Sequence, residues 1–542
     1  MGINYQKRLI YLIVFASIFK IIISAFVELG NDEVYYYTYA LRPDWSYFDH
    51  PPMVGLLIRL TTLNLNWIND VSMRLGAIIG CGISSYFIFL LGKKLHSEKA
   101  GWYAALLYNC SVYTGIIAGM FILPDSPQMP FWTASLYFMS CILFDDDSSL
   151  FRRLVPEKSL NNSNDCHVGQ ESNFAMTNKK ILFLLLGLTI GLATLSKVHA
   201  LFLWAGFGLF ILLEKRKLFA NPFLYLGGLI TIVCLFPIIY WNIENKFITY
   251  TFHSERVTHH TIQFGAFLQE IIGELLYQNP IVYILLVIGI VFCIKHKEKF
   301  SFNKTTWLLC MSVPMLLVFW VVALFNPTLP HWSGPAFIPF MLLAGIYLSE
   351  KTNRVVPTSL KVAGSLVILI LIGGTLLANF APFNLGSKEE KNYGEYCPTL
   401  DISGWKDFGK QYAALVEEDL HAGVMRGRTS IVVAKWFPAA HIEMYVARQS
   451  HQQVIGLGKL EDLHEFAWLN KERRTLQQGD DAYCIVPSNL PFNVQENYGN
   501  MFSAIQKPVI INQMRSGKAV RYFYVYRLKG FKNTVTKDSL LN

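Results

Sequence analysis

Apolar runs long enough to cross a bilayer recur near residues 8–27, 73–92, 101–121, 127–144, 181–195, 198–213, 222–241, 277–294, 305–325, 334–349 and 359–380. They predict eleven membrane helices filling residues 1–380. The fifth and sixth runs are short and flank Lys197, which reads as a tilted or broken span. From 385 to 542 the pattern changes to strand-like runs (Ile431–Lys435, Gln453–Leu457, Ala482–Pro487, Arg521–Leu528) alternating with helix-like ones (Asp407–Glu418, Ala439–Arg448). That alternation predicts a small α/β domain in water. Between the fourth and fifth runs, residues 145–180 are polar, rich in Asn, Ser and Asp, and without periodicity. They read as a solvated, partly disordered connector.

Composition agrees with two solvents. Charged residues make up 16% of the 542, against about 25% in soluble proteins. The net charge of +9 is not gathered into a stripe or tail, which argues against a nucleic-acid partner. It lies in small clusters between apolar runs, as the positive-inside rule arranges it. Lys7-Arg8 before an apolar run resembles a signal peptide, but no small-residue cleavage site follows, so the first run reads as a retained helix. With the N-terminus in the cytoplasm, the inner loops hold twenty Lys and Arg and the outer loops six. That bias sets the orientation and places the domain from 385 outside. Nine cysteines are scattered without a CxxC pair, so a metal cluster is not expected. In the outer domain, Cys397 and Cys484 read either as a disulfide or, for Cys484, as core of the strand Ala482–Val486.

Lysines and arginines alone set this sidedness, yet every chemically unusual cluster falls outside. The first outer loop, 28–72, holds Asn31-Asp32-Glu33-Val34-Tyr35-Tyr36 and then Tyr47-Phe48-Asp49-His50-Pro51-Pro52. Further along come Pro124-Asp125-Ser126-Pro127, Ser196-Lys197-Val198-His199, Trp241-Asn242, His253 with Arg256, and Pro330-His331-Trp332. A carboxylate just past the first span, Asp32 or Glu33, can take a proton from an attacking hydroxyl or amine. Lys197 is expensive in lipid, and a lipid phosphate is the anion found at that depth. Arg256 offers a planar two-pronged clamp for phosphate. Tyr35, Tyr36, Tyr47 and Trp332 fit either a sugar face or an interfacial aromatic belt. Taken singly, His50, His253 and His331 read as readily as structural residues, and Asp125 as a helix start.

In this order the clusters resemble the GT-C superfamily of polyprenyl-phosphate-sugar glycosyltransferases, in the branch of protein O-mannosyltransferases and lipid A aminoarabinose transferases. The resemblance covers residues 1–350 and is also carried by Arg74-Leu75 and Gly191–Lys197. It implies a multi-span fold of about eleven transmembrane helices whose first outer loop forms helices over a cavity at the membrane surface. It also implies a catalytic carboxylate at Asp32, with Glu33 orienting it or contacting the acceptor. The implied carrier-phosphate ligands are Lys197, Arg256, His50 and Arg74. Tyr35, Tyr36, Tyr47, Asp49, Asp125, Asn242, His253, His331 and Trp332 would line the cavity. The chemistry implied is one in-line displacement with inversion, without nucleotide or other required cofactor; a divalent cation is possible but not indicated. The partners implied are a polyprenyl-phosphate sugar, membrane lipid, and a glycolipid or protein acceptor.

The sequence departs from the aminoarabinose transferases at two cations. Their first-loop motif reads Tyr-Phe-Glu-Lys-Pro, where this chain has Asp49-His50, and an arginine two residues after the acidic pair is here Tyr35. The large luminal insertion of eukaryotic O-mannosyltransferases has no counterpart. The expected organisation is therefore a transmembrane domain, 1–380, with its catalytic loop at 28–72, and an extracytoplasmic domain, 385–542, in a cytoplasmic membrane. A lipid-linked sugar flippase is the alternative; it predicts matched inverted halves, which the sequence does not show.

Overall fold

The computed structural model describes residues 3–145, 167–255, 261–296, 300–427 and 429–532. The chain divides into two compact units: 1–19, 50–54 and 75–367 form one, while 20–49, 55–74 and 368–542 form the other. This division differs from the compositional boundary near 380, because most of the first outer loop packs with the C-terminal domain.

All eleven apolar runs are helical, but they are not eleven equal crossings. Among the described residues six helices are long and apolar enough to span a bilayer: Tyr5–Phe26, Asp70–Leu95, Lys179–Ser196, Pro222–Glu244, Phe302–Ala323 and Thr358–Phe380. A seventh is the pair Phe264–Tyr277 and Pro280–Lys295 if it is one span, bent by 97°. The run near 101–121 breaks after Glu98–Cys110 into a π-helical turn, Tyr113–Ile117. The run near 198–213 is a short helix after the break at Lys197. The predicted connector is helical from His167 onward, continuing to Ser196; its part at 146–166 lies outside the described residues.

Local sequence explains several starts. Asn221-Pro222 and Asn279-Pro280 each open a helix, the Asn side chain accepting the N–H of Phe223 at 2.9 Å and of Ile281 at 3.2 Å. Proline needs no donor at the first helical position, and Asn satisfies the next one. Within the first unit, helices His167–Ser196 and Pro222–Glu244 meet at Gly187 and Gly227, where an added Cβ on Gly187 would stand 2.1 Å from the Gly227 carbonyl oxygen. Close backbone approach at small residues is how helices pack where apolarity alone gives no preference.

The second unit contains a six-stranded sheet of β1 (Ser430–Val433), β2 (Val454–Gly456), β3 (Ala482–Pro487), β4 (Phe502–Ile505), β5 (Val509–Arg515) and β6 (Lys518–Phe531). The order is β2-β1-β3-β6-β4, with β5 also paired to β6. β2, β1 and β3 run parallel, while β6 is antiparallel to β3, β4 and β5. Cys484 belongs to the core under this sheet with Val432, Ile455 and Leu528. Cys397 and Cys484 are both free thiols.

Helix Trp405–His421 has no cap of its own at Gly404. Glu28, from the end of the first membrane helix, supplies one: its carboxylate accepts the N–H of Trp405 at 2.8 Å and of Lys406 at 3.0 Å. A carboxylate there satisfies orphan donors and meets the positive end of the helix dipole. Glu28→Ala is expected to cost about 1 kcal/mol, the usual worth of a cap. Hydrogen exchange in the first turn of helix 405–421 should then accelerate about fivefold or more.

Candidate active site

The candidate residues gather in two clusters, one in each unit. In the second unit the acidic pair opens helix Asn31–Leu41, and its two carboxylates meet opposite environments. Asp32 is exposed. Glu33 is 3% exposed and accepts from Arg74 at 2.8 and 2.5 Å. It also reaches back to the N–H of Gly30 at 2.9 Å, closing the first turn. Arg74 is fully buried and further donates to the carbonyls of Val27 at 2.7 Å and Glu28 at 3.0 Å. These hydrogen bonds join the end of the first membrane helix to the helix that carries Asp32.

The C-terminal domain grips the same segment. Tyr445 accepts the N–H of Leu29 at 2.7 Å and donates to Asp70 at 2.8 Å. His441 pairs with the Asn31 side chain at 2.9 Å and stacks on Trp405 at 4.5 Å between ring centroids. The second short helix of the loop, Met53–Thr61, lies against the first at Gly55, where a Cβ would stand 2.8 Å from that of Tyr39. Its Leu56 and Leu60 remain exposed, as a helix lying in a membrane interface presents them.

The tyrosines are committed to packing. Tyr35, Tyr36 and Tyr47 are buried, and Tyr47 stacks on Tyr39 at 3.7 Å. Asp49 accepts from the phenols of Tyr35, at 2.9 Å, and Tyr39. Burial, reinforced by the Asp49 charge, holds both phenols well above the usual tyrosine range, so they remain donors. Beside them sit three residues that the sequence reading missed: His464, 4.0 Å from Asp49; Trp436, 5.0 Å from the ring of Tyr35; and the fully buried Glu465, 3.5 Å from Arg42. Burial pushes the Glu465 carboxyl well above the ordinary range, with Arg42 opposing it. Nothing in local sequence distinguishes His464-Glu465 from surface charge.

In the first unit, Lys197 sits in extended backbone between two helices. Its Nζ lies 3.0 Å from both oxygens of Asp125. Asp125 is 1% exposed in the first turn of helix Asp125–Phe144 and also accepts from Tyr113 at 2.8 Å. Gln128 donates to the Lys197 carbonyl at 3.2 Å and pairs with His199 at 2.9 Å. His331 and His199 are close enough to Asp125 to act on its charge, and His50 is close enough to act on both imidazoles. Trp332 packs 6.2 Å from Phe319, and Asn242 is buried with Nδ2 on the Ile238 carbonyl. Arg256 and the side chain of His253 lie outside the described residues.

A second feature missed from sequence anchors the loop of His331. Glu270 and Glu274, one turn apart on a mostly apolar helix, are fully buried. Thr328 donates to Glu270 at 2.7 Å, and Ser333 and Trp320 donate to Glu274 at 2.7 and 3.0 Å. Acidic residues at i and i+4 in an apolar helix were the available signal. Among the described residues no three His, Cys, Asp or Glu side chains form a group that could hold a metal ion.

Removing the Lys197 charge tests its pairing. Lys197→Met leaves Asp125 with Tyr113 as a remaining donor, so a loss of about 1.5–3 kcal/mol is expected. Lys197→Met/Asp125→Asn should recover most of it in thermal unfolding.

The fold and these clusters define a multi-span membrane protein with a C-terminal α/β domain, as the resemblance read from the sequence implies. The chain superposes on ArnT from Cupriavidus metallidurans bound to undecaprenyl phosphate with a TM-score of 0.59, at 14% identity over 95% of this chain and 97% of that one. The apo form of the same protein gives 0.57 at 12% identity, over 96% and 98%. Residues 49–152 match the family model described as dolichyl-phosphate-mannose-protein mannosyltransferase. The chain is also 22% identical over 344 residues to the lipid A galacturonosyltransferase RgtD of Rhizobium johnstonii (strain DSM 114642 / LMG 32736 / 3841), covering 61% of this chain and 63% of that protein.

Proposed function

We propose that the protein is an integral-membrane glycosyltransferase that moves a sugar from a polyprenyl-phosphate carrier to a glycolipid acceptor on the outer face of a cytoplasmic membrane. The observation that carries this is the divergence of two adjacent carboxylates. Glu33 is buried and paired, and Asp32 is left exposed at the head of a clamped helix. Neighbouring carboxylates in opposite environments take different roles. Asp32 accepts the proton of the acceptor hydroxyl, whose oxygen attacks the anomeric carbon as the bond to the lipid phosphate breaks. The configuration inverts, and the phosphate leaves with its lipid. Lys197, His50 and Arg256 are the candidates to stabilise its charge, while Glu33 and Arg74 position Asp32.

The fold shared with ArnT, the mannosyltransferase family model and the RgtD likeness support the donor class, and RgtD favours a lipid A-type acceptor. The outward orientation is supported by the twenty-to-six distribution of basic residues. The test is a transfer assay on purified protein with radiolabelled polyprenyl-phosphate sugars, wild type beside Asp32→Asn, sorting label into lipid and protein fractions. Label in the lipid fraction from wild type alone is the expected result. Label in the protein fraction would move the acceptor, and no Asp32-dependent label from folded protein would overturn the catalytic assignment.

A further inference from the structure

The C-terminal domain holds a cavity of about 590 Å³, within the roughly 300–1,000 Å³ usual for small-ligand sites. Its place follows from topology. From the parallel strand β1 the chain goes to β2 on one side, then returns to form β3 on the other. Between the ends of such strands a crevice opens, and ligands of α/β sheets bind there. Here the walls are the end of β1 with Ala434, Lys435, Phe437 and Pro438, and the end of β3 with the loop Pro487–Phe492.

The lining is apolar with few polar side chains, among which acceptor oxygens outnumber cations. Asn489 is 4% exposed, and its Oδ1 has no hydrogen-bond partner among the described residues. A buried amide oxygen without a donor calls for an explanation. Asp401 and Glu395 add two carboxylates against a single cation, Lys435. At the rim stands Tyr396, 88% exposed and held at φ 63°, a conformation that costs a bulky residue energy. An exposed ring at the rim, an aromatic-bearing wall and an excess of acceptors suit a ligand with many hydroxyl or amine donors and one apolar face.

We propose that this cavity is a saccharide-binding site, selective for neutral or amino sugars over acidic ones. It is linked to the catalytic segment: Asp401, in its wall, is close enough to Asn31, the neighbour of Asp32, for the two side chains to interact. The assignment of the saccharide to the acceptor rests on the transferase reading above; its binding does not.

The experiment is saturation-transfer NMR and calorimetry on the full chain in detergent, with chitobiose, cellobiose and glucuronate as probes. Chitobiose and cellobiose are expected to bind, with glucuronate at least tenfold weaker. Tyr396→Ala, an exposed position whose replacement leaves folding intact, and Asn489→Leu should each weaken chitobiose binding at least fivefold. Asp32→Asn should bind it as wild type does, so failure of the catalytic reading leaves this site standing. If chitobiose raises the apparent KM for the acceptor, the site holds the acceptor's sugar headgroup; if it changes kcat alone, the site takes a free glycan. Absence of chitobiose binding, or binding indifferent to both Tyr396→Ala and Asn489→Leu, would overturn the proposal.

Discussion

Asp32→Asn is expected to lower the rate of sugar transfer by about 10² to 10⁴, the range lost when a positioned general base is removed. The amide keeps the shape of the carboxylate and cannot take the acceptor's proton. Because Asp32 is exposed in the first turn of its helix, the substitution should cost no more than about 1 kcal/mol in thermal unfolding. Rate and stability therefore separate at this position. Initial rates with radiolabelled donor, read beside an unfolding curve, check both halves. An Asp32→Asn protein that keeps more than a tenth of the wild-type rate would remove Asp32 from the chemistry.

At Arg74 the expectation is the reverse, a large loss of stability. Its guanidinium holds both oxygens of Glu33 and two backbone carbonyls with no exposure to solvent. Arg74→Met leaves the Glu33 carboxylate buried without its counterion, at a cost of about 3–5 kcal/mol. Arg74→Met/Glu33→Gln removes the stranded charge and should regain a large part of that loss. The folded remainder of either variant should also transfer slowly, because the helix start that presents Asp32 has lost its tie to the first membrane helix. Tryptophan-monitored unfolding measures the first effect, and transfer per folded molecule the second. A change below about 1 kcal/mol in Arg74→Met would mean that the pair is not the clamp described.

Arg74 also shows where the sequence stops being readable. An arginine beside acidic motifs on the outer side reads as a phosphate ligand, since charge complementarity with a lipid carrier and with a nearby carboxylate look alike in one dimension. In the fold it donates to Glu33 and to the carbonyls of Val27 and Glu28, contacts that the sequence does not announce. Lys197 is a second case: its cost in lipid marks it in the sequence, but only packing brings Asp125, 72 residues away, to its amine. Tyr35 and Tyr47 read as interface anchors more than as sugar platforms, and the fold buries both against neighbouring rings.

Apolar run length is set by bilayer thickness, a constraint that acts on contiguous residues, so the multi-span class was legible directly. The same holds for strands β1, β2, β3 and β6, whose apolar character is local. The GT-C resemblance likewise needed only the order of short motifs. What run length does not settle is whether an apolar helix is long enough alone: breaks at Cys110, Lys197 and Gln278 depend on tertiary partners, and among the described residues six or seven helices qualify as spans by length and apolarity. Strands β4 and β5 carry no strong pattern and form because β6 offers them an edge.

The grouping of the first outer loop with the C-terminal domain was also beyond the sequence. It rests on Glu28 capping a helix near residue 405, Tyr445 on Leu29 and Asp70, and His441 on Asn31. These are single polar contacts between residues hundreds of positions apart, with no periodicity to announce them. The hydrophobic effect, being non-directional and summed over many residues, leaves its mark on the chain as pattern. Hydrogen bonds and buried ion pairs depend on the geometry of a few atoms, and only the folded chain decides which atoms those are.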